Sequence, residues 1–151
     1  MKFIIVTGLS GAGKTAVLHK LEDLTYFCVD NLIPKLLPDF AESCLTADEP
    51  INKVAVAIDI RMGDWFSTIY DVIDELRKRK EIDLNILFLD ASDETIIKRF
   101  KSTRRPHPIS HSGDIAAGIH AERRELQRIK DMATRVIDTS SYSLIKLYNV
   151  I

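Results

Sequence analysis

The sequence predicts an α/β domain with a doubly wound, mainly parallel sheet of about five strands and helices on both faces. Short apolar, β-branched runs recur along the chain, and helical patterns alternate with them. A glycine-rich turn also joins the first such run to the first helix, and no stretch resembles an interdomain linker. Strands are expected at Lys2–Thr7, Tyr26–Asp30, Val54–Asp59, Asn85–Asp90 and Arg135–Asp138. Those at 54–59 and 85–90 are nearly continuous apolar runs, the pattern of parallel strands covered on both faces.

Helical spacing fills the gaps. Thr15 to Leu24 carries Ala16, Val17, Leu18 and Leu21 on one face. Leu32 to Thr46 reads as a helix made irregular near its start by Pro34 and Pro38. Asp64–Arg79 places Trp65, Phe66, Ile69, Val72, Ile73 and Leu76 on one side, and Trp65 is expected in the core. Ser92 suits the cap of the next helix, with Asp93 and Glu94 in its first turn and Lys98, Arg99 and Lys101 late, as the helix dipole favours. From Asp114 to Asp131, Ile115, Ile119, Leu126 and Ile129 recur at helical spacing, while Glu122-Arg123-Arg124-Glu125 reads as the outer face with i,i+3 pairing.

The turn after the first strand is Gly8-Leu9-Ser10-Gly11-Ala12-Gly13-Lys14-Thr15, which fits G-x-x-x-x-G-K-[ST] between a strand and a helix. Glycine permits turns closed to other residues and removes side chains that would hold a phosphate away. The loop amides and the positive end of the following helix then face one anionic group. Lys14 is placed to reach β- and γ-phosphate oxygens, and the Thr15 hydroxyl to ligate Mg²⁺. The expected fold is therefore that of the P-loop NTPases, and the expected ligand a nucleoside triphosphate.

A chain of 151 residues supports one domain with a core of ordinary size. Its 46 % hydrophobic and 28 % charged residues describe a globular protein, and a formal net charge of −1 excludes a general affinity for polyanions. Cys28 and Cys44 lack C-x-x-C spacing and read as reduced thiols. The opening apolar run is too short for a secretory segment, and no stretch approaches a membrane span, so the cytoplasm is the expected location. The amphipathic helical faces suit a core or an interface between copies alike, which leaves a homo-oligomer open.

Four expected strands finish in aspartate, at Asp30, Asp59, Asp90 and Asp138, and ligands in open α/β sheets bind at that edge. Val54-Ala55-Val56-Ala57-Ile58-Asp59 suits the second element of a phosphate-loop site, a carboxylate that orients Mg²⁺, with capping of the next turn as the alternative. Asp30 suits either an acceptor site or a cap, and Asp90 a cap. Asp138-Thr139-Ser140-Ser141 suits either a purine contact or a turn.

Lys98, Arg99, Lys101, Arg104, Arg105 and His107 crowd together before Pro106 and Pro108, with Gly113 beyond. Three readings compete for this segment: a lid bringing Arg104 or Arg105 to the γ-phosphate, an RNA-backbone patch, or a solvated charge run. His107 and His111 lack the companions of a metal site.

Taken together, these stretches resemble the RapZ/YvcJ-type nucleotide-binding proteins, also called RNase adapter proteins. The matching segments are G-L-S-G-A-G-K-T at 8–15, L-E-D-L-T-Y-F-C-V-D-N-L at 21–32 and A-I-D-I-R at 57–61. L-F-L-D-A-S-D-E at 87–94, R-F-K-S-T-R-R-P-H-P at 99–108 and V-I-D-T-S at 136–140 follow in order. The resemblance implies ATP binding at Gly8–Thr15 and a guanine-nucleotide motif at Asp59-Ile60-Arg61-Met62. It also implies weak ATPase and GTPase activity. Residues 1–151 would be the N-terminal domain of a longer protein whose C-terminal domain supports contact with small RNAs and a ribonuclease, linked to amino-sugar synthesis. A regulatory Mg²⁺-dependent NTPase module is the leading expectation. The alternatives are a small-metabolite or nucleotide kinase, with Asp30 at the acceptor, and a binding adapter that uses nucleotide as a structural ligand.

Overall fold

The computed structural model describes residues 1–103, 107, 109 and 114–151, with the side chains of Arg61, Met62, Trp65 and Leu144 outside the described set. Lys2–Gly8 (β1), Phe27–Val29 (β2), Lys53–Ala57 (β3), Asp83–Asp90 (β4) and Arg135–Asp138 (β5) form one sheet in the order β2-β3-β1-β4-β5. Every pairing is parallel. β1 is paired on both sides, to β3 from Lys2↔Lys53 to Val6↔Ala57 and to β4 from Lys2↔Asp83 to Gly8↔Leu89. That central position accounts for the unbroken run Phe3-Ile4-Ile5-Val6, because both of its faces are covered. The edges belong to the shortest strands, β2 and β5, which limits the exposed ladder.

The helices are Lys14–Asp23 (α1), Leu37–Thr46 (α2), Ile69–Lys78 (α3), Asp93–Thr103 (α4), Ile115–Asp131 (α5) and Leu144–Tyr148 (α6). α1 lies against β1, β2 and β3 and touches α6, whereas α2 packs on α3 and α4 on α5. Right-handed crossovers in this strand order put α1 on one face of the sheet and α2 to α5 on the other. Phe3, Ile5, Ile58, Ile69, Ile73, Leu76, Phe88 and Ile96 are completely or almost completely buried between the layers.

Two expected helices are shorter than their hydrophobic patterns. Residues 60–68 form tight 3₁₀ turns, and α3 starts only at Ile69. Gly63 breaks the run at φ 56°, ψ −127°, a conformation that no helix contains. Phe66 is buried as expected, while the expectation for Trp65 falls outside the described side chains. The irregular start at Leu32 resolves into a 3₁₀ turn over Pro34–Leu36 followed by α2. Both prolines sit in first turns, where their missing N–H groups have no helical partner to lose.

Candidate functional site

β1 ends at Gly8 directly against the β4 backbone. A Cβ built on Gly8 would lie 2.1 Å from the Leu89 carbonyl oxygen, and Gly8 sits at φ +136°. The chain can therefore turn out of the sheet here only as glycine. Gly11 and Gly13 also have positive φ, and Gly13 forms the N-cap of α1. Among the described residues no side chain caps α1 and no acidic residue lies in its first turn, whereas Asp114 caps α5 and Ser143 caps α6. The first-turn amides of α1 thus lack a side-chain acceptor at the N-cap, as do those of α2 and α3, whereas α5 and α6 have one. Together with the dipole, the α1 amides make this end electropositive, a geometry suited to an anion.

Lys14 spans this loop. Its Nζ donates to the Gly8 carbonyl at 2.8 Å and the Leu9 carbonyl at 3.1 Å, and lies 3.6 Å from an Asp59 carboxylate oxygen. Asp59 stands two residues beyond β3 and is 5 % exposed, so the register of β1 with β3 brings its carboxylate beside the loop. Thr15, next to Lys14, is exposed at the start of α1. A hydroxyl and a carboxylate are hard oxygen donors of the kind Mg²⁺ takes when phosphates and water complete its shell. No group of three or more His, Cys, Asp or Glu residues is placed to hold a metal among the described residues. The donors present fit a phosphate-completed site and not an all-protein cage.

The other strand-end carboxylates diverge. Asp30, one residue past β2, is exposed at the same edge. Asp138 turns into its own loop and accepts from the Ser140 amide and hydroxyl, which lowers its pKa. Asp90 caps the Ala91 amide at 2.8 Å, as expected, but also accepts from Arg123 at 2.9 Å and Lys130 at 2.7 Å. Burial alone would raise the Asp90 pKa; the hydrogen bonds and charges of Lys130 and Arg123 outweigh it and leave the carboxyl below its ordinary value. A depressed native pKa means that the charged form is held better in the folded state. The resulting stability is present above the unfolded carboxyl value near pH ~4 and is lost as pH falls from there through the native value. Asp90→Asn is accordingly expected to show a shallower loss of stability than the wild type on acidification below about pH 5. Urea midpoints across an acid series measure this, and parallel curves would refute it.

The expectation that residues 122–125 form an outer face is corrected for its first half. Glu122 is fully buried, and Arg123 turns to Asp90 and Asp93. Arg124 and Glu125 are exposed. The reason is helical geometry: position 122 lies three residues after Ile119 and four before Leu126, on the inward face. That spacing was a readable signal. The Glu122 carboxylate accepts from the Ser10 amide and hydroxyl, each at 2.8 Å, and lies 2.7 Å from His107 Nε2. His107 is 2 % exposed, so it is not a solvated loop residue. Arg99 extends beyond a dipole role as well, donating to the Gly11 carbonyl at 2.9 Å and the Thr139 carbonyl at 2.8 Å. Thr139 Oγ1 donates to the Ala12 carbonyl at 2.8 Å. The loop is thus tied to the ends of β4 and β5 and to α4 and α5, and no local pattern announced these ties.

Leu9, Ser10, Ala12 and Ile60 are buried around the site. Arg104, Arg105 and His111 lie outside the described residues, as do the side chains of Arg61 and Met62. Cys28 and Cys44 are unbridged. Burial, with Glu22 nearby, pushes the Cys28 thiol up to about 11, and burial raises Cys44 too, so neither is an activated nucleophile. No described helix is long and apolar enough to cross a membrane.

A parallel sheet with a glycine loop after its first, central strand and a lysine at the next helix start defines the P-loop α/β class. The chain is similar in fold to shikimate kinase from Bacteroides thetaiotaomicron, with TM-score 0.62 at 13 % identity, over 98 % of this chain and 94 % of that one. It is likewise similar to the deoxyadenosine kinase of M. mycoides with bound dCTP, with TM-score 0.54 at 17 % identity, over 99 % and 96 % of the two chains.

The chain belongs to the RapZ-like family, whose N-terminal domain model matches residues 1–151. A protein of Clostridium perfringens named "Nucleotide-binding protein" is 54 % identical over 144 residues, 95 % of this chain and 49 % of that protein. One of the same name from Desulforudis audaxviator is 50 % identical over 146 residues, 97 % of this chain and 49 % of that protein. The chain therefore spans about half the length of the curated relatives it matches.

Proposed function

We propose that this domain binds ATP or GTP with Mg²⁺ in the Gly8–Thr15 loop, hydrolyses it slowly and serves as a regulatory module. The observation that carries this reading is the start of α1, where the glycine turn, the helix N-terminus, Lys14 and Asp59 meet. Phosphate oxygens would replace the Gly8 and Leu9 carbonyls as acceptors for Lys14 Nζ, while the loop amides hold the polyphosphate in register. The Thr15 hydroxyl and the Asp59 carboxylate would hold Mg²⁺, which when bound offsets phosphate charge. Ile60, Arg61 and Met62 would lie along the nucleotide, and Arg104 or Arg105 would meet the charge that develops on the γ-phosphate. The name shared by the relatives supports nucleotide binding. A contact with RNA or a ribonuclease would belong to the longer protein whose N-terminal domain this chain would form, and assembly into homo-oligomers is compatible with the reading.

Calorimetry with MgATP and MgGTP tests the proposal. Lys14→Ala is expected to weaken binding by about a hundredfold, the effect of losing charge-assisted hydrogen bonds of about 1.5–3 kcal/mol at a partly dehydrated site. An absence of heat and of any melting shift for the wild type at millimolar nucleotide would refute it. The exposed Asp30 at the same edge favours one second reading, a small-metabolite kinase with this carboxylate at the acceptor hydroxyl. ADP release that becomes fast only with one acceptor, and slow again in Asp30→Asn, would select that reading.

A further inference from the structure

Glu122 is fully buried near the middle of α5, on a face otherwise carrying Ile115, Ile119, Leu126 and Ile129. A carboxylate persists in such a place only where donors replace water. Three converge on it: the Ser10 amide and hydroxyl on Oε1, at 2.8 Å each, and His107 Nε2 on Oε2 at 2.7 Å. The Ile109 amide donates to His107 Nδ1 at 3.2 Å. With Nδ1 accepting from the Ile109 amide, the tautomer that fits both contacts is the one that donates from Nε2 to Glu122. In that arrangement Glu122 accepts from two donors of the Gly8–Thr15 loop and one from the chain between α4 and α5.

A second contact runs in parallel. A Cβ on Gly11 would lie 3.3 Å from the Phe100 ring, whose centroid is 5.2 Å from that of His107. Ser10 and Gly11 therefore rest on a unit made of Glu122, His107 and Phe100. A change in the loop at Ser10 must alter the hydrogen bonds on the Glu122 carboxylate, and through them the His107 ring.

We propose that Glu122 is a positioning residue for the anion-binding loop, presetting it through Ser10 and reporting its occupancy to His107. The inference rests on the nucleotide reading above. It gives that site a coupling to the chain that follows α4, carried by one carboxylate rather than by contact with the nucleotide.

The test combines calorimetry with the ¹⁵N ring signals of histidine-labelled protein, His107 being assigned by comparison with His107→Gln. In the wild type His107 is expected as a neutral Nε2–H tautomer whose signal moves as MgATP saturates the loop. Glu122→Gln, still melting cooperatively, is expected to bind MgATP at least about tenfold more weakly and to lose that nucleotide-dependent movement. His107→Gln, which keeps a donor toward Glu122, should retain most of the affinity that His107→Ala loses. If Glu122→Gln does not fold, Ser10→Ala removes one donor only and should weaken binding about threefold while shifting the His107 signal. A folded Glu122→Gln that binds as the wild type does, a His107 ring indifferent to MgATP, or a Ser10→Ala variant unchanged in both readouts overturns this proposal alone. A wild type that binds no nucleotide overturns the nucleotide reading and this inference together.

Discussion

Gly8→Ala is expected to destabilise the domain by about 3–5 kcal/mol, the joint cost of a side chain at a strongly positive φ and of overpacking. At φ +136°, with its Cβ 2.1 Å from the Leu89 carbonyl oxygen, an alanine would force β1 and β4 apart where they pair most extensively. The obstacle is backbone on both sides, so no rotamer relieves it. A loss of this size is a large part of the stability of an ordinary domain. Denaturant midpoints measure it, and a variant within about 1 kcal/mol of the wild type would mean that β1 and β4 separate more easily than their register implies. Folded or not, the variant should show no nucleotide-induced rise in melting temperature, because the loop begins at this residue.

Glu122→Ala is expected to have the second largest effect, a loss of about 3–5 kcal/mol. It deprives three buried or nearly buried donors of their acceptor, each worth about 1–3 kcal/mol when left unsatisfied, and water entering the space limits the sum. Glu122→Gln keeps an acceptor in place and should lose about 1–2 kcal/mol. The order wild type, Gln, Ala in urea midpoint is the discriminating result. Equal midpoints for Ala and wild type would show that Ser10 and His107 find other partners in the native state.

The expected strand order of events along the chain matched the structure closely, with all five strands found within a few residues of their anticipated ends. The glycine turn between β1 and α1 was legible for a related reason: its backbone geometry is carried by eight consecutive residues, Gly8–Thr15, whose spacing is that of a candidate phosphate loop. Asp59 was legible because a run of buried apolar residues ends at it. Arg99, His107 and Glu122 were not, since their partners lie 88, 15 and 112 positions away. Glu122 had a trace in its inward helical position, but helical spacing says that a residue is buried and not what will satisfy it. The short α3 shows the converse: the amphipathic pattern begins at Trp65, but the chain keeps 3₁₀ turns up to Thr68 before the α-helix starts at Ile69.

By itself, the order of residues determined the layer architecture and the glycine turn at the head of α1, because hydrophobic period and glycine placement act over a few neighbouring positions. Only the folded arrangement decided which groups hold that turn in place. Burial removes the water that would otherwise satisfy a carboxylate, an imidazole and a guanidinium, and each must then find a partner across the sheet, wherever the chain has brought one.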